Sequence, residues 1–511
     1  MLKEWRERRR LERELKSLQL KAKIQVFNRF SGADKDARSM KGWKVYSNDA
    51  NGDILPDLQT LRDRSRDLSQ NNPIALGAID VKSINVIGRG FSYQSRLDRD
   101  VVSMTDEAAH AWNQAKEREW SLFWDSKGLD IAGKLSGHWL THMVYRSLNV
   151  DGDSIAIVRQ VPEFLNRPYR MGLQIIEADQ LSNPDGAMDS DLLAGGVEMN
   201  EFGRPVCYHF SKVHPGAVMN GAPQEWVKVE AVAQQTGLPN VIHVFRQKRP
   251  GQSRGVPDLH AVIETLHQLS SYSKAELART VVNSLVALII ESPTGGAFPD
   301  DLSTSSETLP GTKDVKLESG MIMGLAKGEK AFAFDPKAPS SAYEGFFAAS
   351  LKQIGMAINV PYEILVKHFS SSYSASKAAI LEFWRWVLNE RKFIVDMFLE
   401  PVHDVFMYEA VATGRIVAPG YFSDPIIRKA YNGFEFRGPS KGHLNETDEI
   451  NAAILRIESG LSNISIETSE LSGGDWEVNH KQSAHEFKMR VKDGLIVDPK
   501  STMQVQQENG K

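Results

Sequence analysis

The sequence has a single cysteine in 511 residues, Cys207. That excludes an intramolecular disulfide and any multi-cysteine metal site. In the run PVCYHF the residue reads as a small buried apolar side chain. No apolar run reaches the ~18 residues of a membrane span, and VALII before Glu291 is far too short. The start, MLKEWRERRRLERELK, lacks the apolar core of a signal peptide, so a reducing cytoplasm is expected where the chain is made. Charge of one sign is not in excess either: 61 basic residues against 65 acidic give a formal −4. This argues against a dedicated nucleic-acid binder but does not exclude a protein that DNA must pass without sticking, because a weakly acidic wall lowers phosphate affinity.

The motifs of catalysis are also missing. GLAKGEK lacks the spacing and terminal Ser/Thr of a phosphate-cradling loop, and VIGRGFSY lacks the third glycine of a dinucleotide site. SNPDGAMDSD would put Leu181 and Leu192 at the first and last ligand positions of a calcium loop. HEFKM at His485 lacks the second histidine of a zinc-protease helix, and G-x-S-x-G is absent. His138 and His142, one turn apart, read as surface or capping side chains, since no Cys or acidic partner is close in sequence. No catalytic residue, metal ligand or cofactor is expected.

What is present is the composition of a folded protein, 41% apolar and 25% charged, with length for roughly three domains. The most informative stretch runs from Arg249 to Glu291. A Gly/Pro-rich basic lead-in stops at Pro257, and Asp258 puts negative charge in what should be a first helical turn. Leu259, Ile263, Leu266 and Leu269, then Leu277, Val281, Leu285 and Leu288, form one helical stripe. About 35 residues at roughly 1.5 Å each make a rod of about 50 Å, too long for a small domain.

Before it, residues 1–23 form a basic helix with nine Lys/Arg against four Glu. A surface helix docked by its leucines is favoured there over a DNA-binding arm. SGADKDARSMKGW to SNDANGD reads as loop, Asp57 to Leu68 as helix, and NNPIALGAIDVKSINVIGRGF as a helix entering a Gly-punctuated turn. Ser103 caps a helix through Glu117 that turns Trp112, Trp120, Phe123 and Trp124 inward, and His138 to Leu148 is helical. DGDSIAIVRQV, GLQIIEA, a hairpin turning at Asn200 to Gly203, and NVIHVF are strands, so the first 250 residues read as α+β. After the rod come Gly/Pro-rich and short strand-like pieces, DVKLESGMIMGL and KAFAFD. A helix from a Ser341/Glu344 capping box to Asn359 follows, then the serine-rich loop VKHFSSSYSAS. A long apolar helix runs on to Gly414 with a kink at Pro401. Glu446 to Ser459 and His480 to Val491 are helical, and the tail from Pro499 is polar and expected to be disordered.

This order of elements resembles the portal (head–tail connector) proteins of tailed bacteriophages, specifically the lambda-like family. The residues that carry the resemblance are QNNPIALGAID with NVIGRGF, DGDSIAIV, EFGRPVCYHF, IHVFRQKRPGQSRGVPDLHAVIETLHQLSSYSKAELAR, GMAINVPYEILVKHFSSSYSASKAAILEFWR and SGGDWEVNHKQSAHEFKMR, together touching most of residues 70–495. The resemblance implies an α+β, ring-forming portal-type fold. Its parts would be an N-terminal wing at 1–248, a first stem helix at 249–291 and a clip at 292–338. A second stem helix at 339–360, a channel loop at 361–375 and a long kinked helix at 376–413 follow. A wing return at 414–470 and a short crown-like segment with its tail at 471–511 complete it. It further implies a twelve-subunit ring at one capsid vertex of the virion, through which double-stranded DNA passes in packaging and ejection. The implied partners are the terminase large subunit, a head–tail completion protein, and the major capsid and scaffold proteins, with no membrane.

Lys367, His368, Ser370, Ser371, Ser372 and Tyr373 would then form the DNA-facing loop, although a plain helix connector fits those residues about as well. Lys274 and Arg279 on the stem could face the channel or a neighbour's carboxylate. Where the family often has Trp-Gly-Pro followed by Asp-Pro, this chain has Phe436-Arg437-Gly438-Pro439 and His443-Leu444-Asn445. Two other readings compete: a DNA-processing enzyme of the packaging or recombination type, and a scaffold or adaptor that never touches DNA.

Overall fold

The computed structural model describes residues 2–27, 38–43, 45–162, 167–217, 225–285, 289–291, 330–332, 343–368, 373–440 and 445–495. The chain opens with α1 (Leu2–Phe27). Its Leu11, Leu15 and Leu18 are each at least 60% exposed, so the expected docking of this helix by its leucines does not occur within the subunit. α2 (Ala50–Asn71) begins inside the stretch read as loop, because Asp49 caps it through the amides of Asn51 and Gly52. Asn72 then ends α2 and caps α3 (Pro73–Val86), with Pro73 in the first turn, where its missing N–H costs nothing. β1 (Ser92–Ser95) follows. α4 (Asp106–Trp124) is capped by Thr105, two residues after the expected Ser103, and it runs two turns past Glu117. Trp120, Phe123 and Trp124 are buried as expected, and the Trp112 indole donates to the Val417 carbonyl at 2.8 Å.

α5 (Gly137–Asp151) stops at the left-handed Gly152 (φ 86°). The chain then enters β2 (Asp153–Gln160), which pairs antiparallel on one side with β3 (Met171–Ile176) and on the other with β8 (Val241–Phe245). A second antiparallel sheet stacks β4 (Leu193–Ala194), β5 (Val197–Met199), β6 (Pro205–Ser211) and β7 (Trp226–Glu230) in order. Asn200 shapes the expected β5–β6 turn by accepting from the amides of Phe202 and Arg204. β2 is apolar on both faces for a structural reason: Ile155 and Ile157 meet Tyr208 and Phe210 of the second sheet, while Ala156 faces the main core. Cys207 is buried and free.

α6 (Ile263–Leu285) starts one and a half turns later than Pro257, and Ile289–Glu291 is strand β9, not helix. β9 pairs antiparallel with β10 (Lys330–Phe332), within the expected KAFAFD piece, so the chain leaves and returns side by side. DVKLESGMIMGL, Ser341 of the capping box and the tail from Pro499 lie outside the described residues. α7 (Tyr343–Ala357) ends before Asn359, which takes the left-handed conformation (φ 58°). α8 (Tyr362–Leu365) is a helical turn inside the stretch read wholly as loop.

α9 (Tyr373–Ile394) and α10 (Glu400–Ala412) are joined by a π turn, Val395–Leu399. The break expected at Pro401 takes this form: the Glu400 amide reaches Val395 five residues back, one way a helix absorbs a residue that cannot donate. Gly414 follows α10 with φ 73°, the expected terminator. α11 (Pro425–Tyr431) leads to β11 (Phe434–Arg437), which pairs with β1 across more than 330 residues of sequence. Of the departure at Phe436 to Pro439, Phe436 and Arg437 therefore lie in sheet, and Gly438 packs against the Arg391 side chain. His443 and Leu444 lie outside the described residues. α12 (Glu446–Glu458) ends as expected before the left-handed Gly460, α13 is Ile464–Ser472, and α14 (Trp476–Lys492) starts a turn before the expected His480.

One large core joins α3, α4, α5, β2, α6, α7, α9 and α10, with Phe398, Val402 and Phe406 fully buried at its centre. The fold is thus mixed α and β. The long helices after residue 263 grow out of the same core that backs the first sheet.

Candidate nucleic-acid interface

The lead-in to α6 is fixed before the helix begins. Arg254 is buried and donates to the Asp153 carboxylate and to the carbonyls of Ala178, Leu181 and Gly195. Gly255 lies so close over the α5–β2 turn that a Cβ there would sit 2.0 Å from the Gly152 carbonyl oxygen. Three residues on, Asp258 pairs with Lys82 of α3 and lies 3.9 Å from Arg246. Burial alone would raise the Asp258 carboxyl, but the two cations outweigh it and hold it at about 2. Arg246 in turn binds Glu390 of α9, which also accepts from the Tyr145 hydroxyl at 3.2 Å. Asp258 stood out in the sequence only as a helix-start charge. Its two partners, Lys82 and Arg246, come from two other segments, and no spacing rule finds them.

From this clamp α6 divides in two. Leu266 and Leu269 are buried, and the Asn72 amide donates to the Ser270 hydroxyl at 2.8 Å. The Tyr272 ring lies tilted against Tyr343 and edge-on to Phe346 of α7, with ring centroids 5.4 and 5.3 Å away. A groove of about 430 Å³ lined by Gln268, Tyr272, Phe346 and Ser350 runs along this contact. Beyond Ser273 the same apolar stripe loses its cover: Leu277 is 66% exposed. Lys274 and Arg279 are exposed on this outer half, and Arg279 lies 3.8 Å from Glu276.

The second candidate segment follows α7. Ile358 and Val360 are buried, α8 packs on α3 and α9 with Tyr362, Ile364, Leu365 and Val366 against the core, and Lys352 sits over the Tyr362 ring. The cover ends at Lys367, which takes the left-handed conformation (φ 53°) with its amide bonded to the Ile364 carbonyl. A non-glycine residue in that region carries local strain, which the packed α8 turn holds in place. Lys367 and His368 are exposed. Ser370, Ser371 and Ser372 lie outside the described residues, as does the side chain of Tyr373, whose backbone opens α9. The loop and the stem pair therefore occupy two separate exposed segments, each rooted in the buried core.

His138 and His142 are half-buried, and an acidic partner does reach one of them. His138 bonds Asp125 at 3.0 Å and His142 bonds the Gly88 carbonyl at 2.7 Å. Among the described residues, Glu177, Asp179 and His214 come close enough to hold a cation. The Arg66 guanidinium already occupies the Asp179 carboxylate, and His214 lies 3.1 Å from both acids, so the group is an ion-pair network.

A folded body whose helices carry apolar rows past their own cover is the class of a subunit that packs against others. Residues 36–391, well over half of the chain, match the family described as Phage portal protein, lambda family, and the chain belongs to that family. Portal protein B of Escherichia phage lambda is 24% identical over 480 residues, covering 89% of this chain and 88% of that protein. The Portal protein of Escherichia phage N15 is 22% identical over 480 residues, with 89% of each covered. A chain in the solved structure titled "Virion of native gene transfer agent (GTA) particle" is 14% identical, covers 81% of this chain and 92% of that one, and superposes with a TM-score of 0.45.

Proposed function

We propose that the chain assembles into a closed ring of twelve at one capsid vertex of the virion and serves as the conduit for double-stranded DNA during packaging and ejection. Its body, residues 1–248 with 414–470, acts as the wing. α6 and α7 act as the stem, 292–338 as the clip, 361–375 as the channel loop and 376–413 as the long helix behind it, with 471–511 toward the crown. Terminase, a head–tail completion protein, and the capsid and scaffold proteins dock on the ring, which forms in the bacterial cytoplasm. The observation that carries this reading is the split of α6: one stripe, buried to Leu269 and bare at Leu277, needs a second surface, and a closed ring supplies the same one to every copy. Purified protein should appear as closed rings with an axial hole by electron microscopy and as a single large species by native mass spectrometry. A monomer or dimer under every condition would sink the proposal.

Lys367 repeated around such a ring makes a band of cations that meets phosphates without reading sequence. Lys367→Ala should leave rings intact and lower DNA retention, with a salt dependence shallower than wild type, since each lost phosphate contact removes about 0.9 from the log–log slope. Unchanged packaged length and retention would reduce the loop to a connector between α8 and α9.

A further inference from the structure

Helices α1 and α12 carry two rows that match each other in length and charge. On α12, Glu446, Ile450, Ile454 and Glu458 stand at successive i,i+4 positions, one row on a helix. All four are exposed, the isoleucines by 49% and 47%. Leu461, 81% exposed, prolongs the apolar end just past Gly460. The row is anionic at both ends and apolar in the middle, and about 18 Å long at the helical rise of roughly 1.5 Å per residue.

α1 carries the opposite pattern. Leu11, Leu15 and Leu18 are the exposed centre, Arg8 stands three residues before them and Lys21 three residues after. From Arg8 to Lys21 the helix advances about 20 Å, so cation, leucines and cation match anion, isoleucines and anion.

Within one subunit the two apolar centres do not cover each other, since Leu11, Leu15 and Leu18 on one helix and Ile450 and Ile454 on the other are all exposed. We infer that α1 of one copy lies across α12 of another, its leucines on Ile450 and Ile454, with Arg8 and Lys21 at the two glutamates. The 22 residues between Phe27 and Ala50 can reach at most about 70 Å, enough to cross to a neighbour. A nucleic-acid partner fits α1 less well. DNA offers no apolar surface to three leucines, and Glu4, Glu7, Glu12 and Glu14 on the same helix oppose phosphate. The inference rests on the proposed ring, which places copies side by side.

The test uses two full-length variants co-assembled, one Leu15→Cys and the other Ile454→Cys; the native Cys207 is buried and does not compete. Mild oxidation should give a disulfide-linked dimer containing one of each, forming on the order of tenfold faster than with Leu15→Cys and Met188→Cys, an exposed pair not in the row. Glu446→Lys with Glu458→Lys should slow the link by a similar factor, and Arg8→Glu with Lys21→Glu in the partner should restore it. Rings in the micrographs with linking no faster than the control overturn the clasp alone; no rings and no link overturn the ring reading with it. Loss of duplex-DNA affinity on deleting residues 2–27, with no preferential link, would make α1 a nucleic-acid arm and the inference wrong.

Discussion

Arg254→Ala is expected to lower folding stability by about 3–5 kcal/mol, the usual cost of breaking a buried charge pair from one side. Arg254 is 2% exposed. Its removal takes the donor from three carbonyls and leaves the buried Asp153 with Arg62 at 2.7 Å, the Gly255 amide and the His243 ring at 3.6 Å. Arg62 cannot compensate, because it also donates to the Asp151 carbonyl at 2.9 Å. With ~5–15 kcal/mol typical of a domain, the loss is a large share of the total, and urea unfolding at pH 7 measures it directly.

The same network sets a pH dependence. Burial works to raise the Asp153 carboxyl, but the Arg254 and Arg62 guanidinia with His243 more than reverse this and hold it well below the usual carboxylate range. A depressed folded pKa gives stability that is complete above the unfolded value of about 3.9 and is lost as pH falls through the lower folded value. Asp258, held at about 2, adds to the same window. Wild-type stability should therefore fall steadily below about pH 4. Arg254→Ala, with its carboxyl less depressed, should show a shallower fall from a lower plateau. A change under about 1 kcal/mol at pH 7 would mean that the lead-in to α6 is held by packing of Gly255 on Gly152 instead.

Much of the fold could be read from local pattern, because periodicity and caps are local. The β5–β6 turn at Asn200, the Gly414 and Gly460 terminators and the inward Trp120, Phe123 and Trp124 all follow from residues within a turn or two of each other. One error was itself local, the cap of α4, and the others arose where a distant contact decides. Ser103 and Thr105 are both good caps, and only the structure shows Ser103 at φ 54° and Thr105 bonded to the Ala108 amide. Ile289 to Glu291 continue a helical stripe, yet pairing with Lys330 to Phe332 makes them strand. The leucines of α1 predicted a docked face, yet they are exposed in the subunit, which is why a second copy is proposed as their cover. At the candidate interface the sequence identified Lys274, Arg279, Lys367 and His368 as chemistry without position. The α8 turn that presents Lys367, and the Lys82, Arg246 and Glu390 clamp behind the stem, depend on contacts across up to three hundred residues.

Leu277→Asp is expected to abolish ring formation while leaving the subunit folded. Leu277 is already exposed in the single chain, so the carboxylate costs the monomer little, within the ~0.5 kcal/mol range of ordinary surface changes. In a ring the same position meets a neighbour. An unpaired carboxylate buried there costs several kcal/mol, and closed symmetry repeats that cost at every interface. Leu266→Asp is the contrast: that side chain is fully buried, and the change should unfold the subunit itself. Circular dichroism and native mass spectrometry together separate the two, a folded monomer in the first case and loss of folded protein in the second. The experiment also orients the stem. If Leu277→Asp rings assemble normally, Leu277 faces the channel and the stripe does not mark the subunit contact. If they fail, the α6 face through Glu264, Ser271, Lys274 and Ala278 is the one left for water and DNA, and Lys274 becomes the stem cation whose removal should alter the salt dependence of DNA passage.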